Sequence, residues 1–124
     1  MHLEVLAEDK SGSIFLDCLL GKIIDDSKID CTLAVRPHRG KGFYPPNPRD
    51  NPKKFASGLL DLLPAKLRAY TQVCDPAKTI LVVVMDADED DPGAARKQLR
   101  ETFIRFGGDL PFVIGISVEE IEAW

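Results

Sequence analysis

The chain predicts an α/β fold of the Rossmann-like kind: a parallel four-stranded sheet with helices on both faces. Three observations carry that expectation. Short apolar, β-branched segments alternate with stretches of helical periodicity, in the order strand–helix–strand–helix–strand–helix–strand, which is the pattern of a parallel sheet. The run Ile80-Leu81-Val82-Val83-Val84 has no polar interruption, as a strand covered on both faces requires. Finally, 124 residues with 44% hydrophobic and 29% charged side chains are enough for one domain, 1–124, with a core of its own.

Leu3–Ala7 is short and apolar and reads as a central strand. Glu8–Ser13 is turn-like, with Ser11 and Ser13 as candidate N-caps and Gly12 in the bend. Ile14, Phe15, Cys18, Leu19 and Ile23 then recur at helical spacing, so a helix is expected over 14–24. Asp25–Lys28 ends it, and Ile29–Val35 reads as the second strand. Arg36–Pro52 holds five prolines and two of the nine glycines and reads as an extended loop. His38 falls there as a loop residue. Phe55–Val73 has helical spacing, with Pro64 expected to start a second helix instead of sitting inside one. Thr79–Met85 is the third strand. Pro92–Phe106 is an amphipathic helix with Pro92 in its first turn, where Asp90 and Asp91 suit its positive end. Arg96, Lys97 and Arg100 read as its solvated face. Phe112–Ile116 is the fourth strand, and Val118–Trp124 starts another helix. The chain stops at Trp124 without a cap or breaker, the expectation being a domain cut from something longer or one trimmed to its ordered part.

No apolar run approaches the roughly 20 residues of a membrane span, and MHLEVLAEDK is not a signal peptide. Cys18, Cys31 and Cys74 are odd in number and lack CxxC spacing. They read as reduced, buried thiols of a cytoplasmic protein, not as a disulfide framework or zinc site. The net charge of −4 argues against a broad basic nucleic-acid surface. The excess acid is concentrated at Asp86–Asp91, however, where bound metal would offset part of it.

A parallel sheet gathers all its strand C-termini along one edge. Glu8 and Asp9 follow the first strand, Asp86 and Asp88 the third, and Glu119 and Glu120 the fourth. Like charges held together disfavour one another's ionisation unless a cation compensates them. Such oxygen-rich clusters suit hard ions such as Mg²⁺, and the strand ends are where open α/β sheets place ligands. In the loop, Gly40 between Arg39 and Lys41 suits close approach to a phosphate.

A Glu just after the first strand, with Asp86-x-Asp88 after a later apolar strand, resembles the TOPRIM domain of topoisomerases, DnaG-type primases and OLD-type nucleases. The chain is especially similar to bacterial TOPRIM-related proteins that carry an RGK segment, here Arg39-Gly40-Lys41, and a terminal EE-x-EAW, here Glu119–Trp124. The first-strand motif departs from the family: Asp9 stands where TOPRIM proteins often have Gly after the Glu. The resemblance implies Mg²⁺- or Mn²⁺-dependent phosphodiester hydrolysis. Asp86 and Asp88 would hold the metal, with Glu8 as a ligand or general base. Glu120 and Glu122 would complete a second metal site, and Lys41 would contact phosphate with Arg39 beside it. Tyr44 and Tyr70 lie in a Pro-rich loop and a helix, so no tyrosine nucleophile is evident and activated water is the expected attacking group. The implied partners are nucleic acid, DNA in particular, and an ATPase. Two other readings stand: a phosphoacceptor signalling domain using Glu8, Asp9 and Asp86, and a catalytically inert TOPRIM-like interaction module.

Overall fold

The apolar strands assemble side by side in the expected way. The computed structural model describes residues 1–87 and 91–117. Its elements are β1 (His2–Ala7), α1 (Lys10–Ser27), β2 (Thr32–Arg36), α2 (Leu59–Val73), β3 (Thr79–Asp86), α3 (Pro92–Phe106) and β4 (Phe112–Ser117). The strands form one sheet of order β2-β1-β3-β4, and every pairing is parallel, with Ala7 opposite Val84 and Asp86 opposite Ser117. The order reverses direction between β1 and β3, so their C-terminal ends flank the switch point of the sheet.

Alternation along the strands sorts the core into two layers. Leu6, Leu81, Val83 and Met85 face α2 and α3, meeting Leu59, Leu63, Leu67, Leu99, Phe103 and Phe106. The Phe103 ring stacks on Phe112 at 4.6 Å between centroids. Val5, Ala7 and Val84 face α1, where Leu16 is the buried contact and Phe15 and Leu20 flank it. Each fully buried Leu or Phe contributes about 1.5–3 kcal/mol from area removed from water, so the α2/α3 layer is the stronger half. Among the described residues, no helix is long and apolar enough to cross a membrane.

Several boundaries differ from the sequence expectation. Helix α1 starts at Lys10, not Ile14, because the Asp9 carboxylate caps it by accepting from the Gly12 N–H at 2.6 Å. Ser11 and Ser13 therefore lie inside the helix. That earlier start turns Gly12, Ser13 and Leu16 inward, while Ile14, Leu19 and Ile23 are exposed. Cys18 is exposed too, and Cys31 and Cys74 are half-buried, so the thiols are not buried as expected. Strand β2 begins at Thr32 instead of Ile29. Helix α2 runs unbroken through Pro64. Pro64 stands just past the first turn, whose N–H groups lack intrahelical partners anyway. Its ring is fully buried in the core, which offsets the lost backbone bond. Phe55, expected at the start of this helix, is 86% exposed in the preceding loop.

Candidate functional site

Strand β1 leaves the core through Ala7, and the next two residues divide the work of its exit. Asp9 is engaged as the α1 cap. Glu8 turns toward β3, and its Oε2 accepts the backbone N–H of Asp86 at 2.9 Å. The residues are 78 positions apart, and the sheet topology joins them at the switch point. Asp86 itself is half-buried, on the side of β3 that carries Val84. One residue on, the Ala87 N–H donates to the Ser117 carbonyl at 2.7 Å, which locks β3 to β4 at the same edge.

The loop after β2 returns over this edge and is anchored by a histidine. His38 is 8% exposed, and its Nδ1 lies 2.8 Å from the Ala7 carbonyl. A carbonyl can only accept, so Nδ1 carries the proton. Nε2 is then an acceptor, and the Lys66 ammonium from α2 donates to it at 2.7 Å. Burial lowers the His38 pKa; the Ala7 carbonyl opposes that shift and the Lys66 charge adds to it. Burial, followed by the Arg36 charge, likewise lowers Lys66. A neutral imidazole of fixed tautomer thus ties the loop to the residue before Glu8.

Next along the loop, Arg39–Gly42 docks on the start of α2. The Arg39 N–H donates to the Ser57 carbonyl at 2.9 Å, and the Gly40 and Lys41 carbonyls accept from Leu59 and Leu60 at 3.0 and 2.8 Å. These carbonyls satisfy helix donors that the Gly58 N-cap leaves without a side-chain partner. Gly42 has φ +66°, and a Cβ there would overlap the Asp61 carboxylate and reach 3.0 Å from the Gly58 Cα, so only glycine fits. The clamp separates the two cations. Lys41 lines a cavity of about 210 Å³ with Leu60, Met85, Asp91 and Ala95, beside the end of β3 and the start of α3. Arg39 lines a different, outer cleft with Phe43 and Phe55.

Asp91 caps α3 by accepting from the Gly93 N–H at 3.2 Å, as expected. Arg96, Lys97 and Arg100 are exposed, as expected of a solvated face, and Arg96 also donates to the Ile114 carbonyl at 2.9 Å. Asp88, Asp90, Glu119, Glu120, Glu122 and Trp124 lie outside the described residues. Among the described residues, no three His, Cys, Asp or Glu side chains gather closely enough to hold a metal ion. The juxtaposed pair is Glu8 and Asp86.

One polar centre escaped the sequence reading. Glu4, in the middle of β1, is 6% exposed. It accepts from His2 Nε2 at 2.9 Å, Arg36 Nε at 3.0 Å and the Tyr70 hydroxyl at 2.9 Å. Burial pushes this carboxyl up, but the bonds from His2, Arg36 and Tyr70 outweigh it and leave the pKa below its ordinary value. Burial, with Glu4 adding to it, raises Tyr70. A charge inside an apolar strand was the available signal, because a buried carboxylate demands partners.

Comparison with protein-family models found no match, and none was found among curated protein sequences or solved structures.

Proposed function

We propose that this domain hydrolyses phosphodiesters with a divalent metal, as a nuclease of TOPRIM-like design centred on Glu8 and Asp86. The observation that carries the reading is the 2.9 Å hydrogen bond from the Asp86 N–H to Glu8 Oε2. It brings an acid leaving β1 against an acid ending β3 at the point where open α/β sheets bind ligands.

The donor set fits Mg²⁺ or Mn²⁺, hard ions that take one or two carboxylates and keep several waters. When bound, such an ion stabilises charge on the phosphate and makes its water a stronger nucleophile. Glu8 and Asp86 would hold it, and Asp88 would join them if the family pattern extends to this chain. Glu8, already oriented by its bond to β3, is also the candidate general base. The Lys41 ammonium, in the cavity beside Met85 and Asp91, would meet a phosphate oxygen by a charge-assisted hydrogen bond. Glu120 and Glu122 are the proposed ligands of a second metal. Arg39, two residues before Lys41, would bind phosphate beside it. DNA as substrate and an ATPase as partner belong to the same proposal.

The phosphoacceptor alternative needs two acids available after the first strand. Asp9 is held as a helix cap, which favours hydrolysis. The test is cleavage of plasmid DNA with Mn²⁺ by the wild-type protein, Glu8→Gln and Asp86→Asn. Wild-type cleavage lost in both variants is expected. No wild-type cleavage, alone or with its natural partner, would overturn the proposal and leave an interaction module.

A further inference from the structure

We propose that the loop over residues 37–58 is a binding platform for single-stranded nucleic acid. Phe43 and Phe55 are 84% and 86% exposed, although a buried Phe would be about 1.5–3 kcal/mol better off. Both rings border one open cleft of about 910 Å³, and Arg39, Lys53 and Lys54 line the same cleft. The Lys54 Nζ lies 5.5 Å from the centre of the Phe55 ring.

The charge of this segment is opposite to that of the chain. Arg39, Lys41, Arg49, Lys53 and Lys54 face a lone acid, Asp50, within residues 37–58, while the whole protein carries −4. Asp61 of α2 is the other acid on the cleft wall. The platform is built in advance of any ligand. The Arg68 guanidinium donates to the Pro48 and Asp50 carbonyls, the start of α2 holds the Arg39–Lys41 end, and Pro45, Pro46 and Pro48 stiffen the path between. Exposed rings interleaved with cations match an unpaired strand, whose bases stack while its phosphates meet the charges. A duplex hides its base faces, and an apolar protein surface would leave the cations without partners. Tyr44 borders both this cleft and the cavity that holds Lys41 and Met85, so a strand seated on the rings leads toward the end of β3. The inference deepens the hydrolase reading by naming an unpaired strand as substrate, but it stands on different residues.

The test is fluorescence anisotropy of a labelled oligothymidylate of about 15 nucleotides, in EDTA so that cleavage cannot contribute. Wild type is expected to bind, and Phe43→Ala and Phe55→Ala each to weaken binding about tenfold. Lys53→Glu with Lys54→Glu should flatten the logarithmic salt dependence by about 1.4, and Lys22→Glu on α1 should leave it unchanged. No oligonucleotide binding, or binding indifferent to both Phe variants, overturns the platform. So does a loss of self-association in those variants, by sedimentation, with oligonucleotide affinity unaltered. Intact binding without Mn²⁺ cleavage would overturn the hydrolase reading alone.

Discussion

Glu4, in the middle of β1, and Glu8, just past its end, stand four residues apart and meet opposite surroundings. Glu4 lies under α2, with three side-chain donors closing on its two oxygens. Glu8 lies half-buried at the strand exit, with Oε2 accepting from the backbone of the neighbouring strand. The first arrangement satisfies a charge so completely that no ligand is needed. The second aims a carboxylate along the sheet edge where a second acid ends its own strand. Position along a strand of a parallel sheet thus separates an acid that holds the fold from one suited to chemistry.

That contrast can be broken most directly at Glu8. Glu8→Gln keeps the size and an oxygen for the Asp86 N–H, so stability should change by less than about 0.5 kcal/mol. Mn²⁺-dependent cleavage should nevertheless fall about 10²–10³-fold, as when a group serving only the transition state is removed. Glu4→Ala should do the reverse. It strands Tyr70 and Arg36, and urea unfolding should show a loss of about 2 kcal/mol, discounted because Arg36 is 57% exposed. Tyr70→Phe removes one of the three donors and should cost about 1 kcal/mol in the same measurement.

The smallest effect is a pH dependence at His38. Folding lowers its pKa from the ordinary 6.5, so the unfolded chain binds the proton more tightly. The His38 contribution is complete above about pH 6.5 and is lost as pH falls toward the lower folded value. Unfolding of wild type and His38→Gln between pH 7.5 and 5 should therefore diverge in slope, the variant being flatter. Glu4, also lowered in the folded state, acts only below about pH 4.5.

Local pattern revealed much of this molecule. The uninterrupted run in β3 and the breaks around each strand gave the parallel sheet, and with it the meeting of Glu8 and Asp86 across 78 positions. Side-chain chemistry that depends on packing was not legible. Glu4 finds Arg36 and Tyr70 at separations of 32 and 66 residues, and nothing local marks either as its partner. His38 reads as a loop residue until Ala7 and Lys66 close on both ring nitrogens. The phase of α1 was missed because the cap at Asp9 outweighed the apolar spacing that starts at Ile14.

The central claim is that Glu8 and Asp86 share a divalent ion. Anomalous diffraction from crystals soaked in Mn²⁺ tests it without reference to activity. The account predicts one manganese peak within roughly 2–2.5 Å of a carboxylate oxygen from each residue, absent in Glu8→Gln crystals. Manganese bound only elsewhere, or no peak with both carboxylates turned apart, would contradict it.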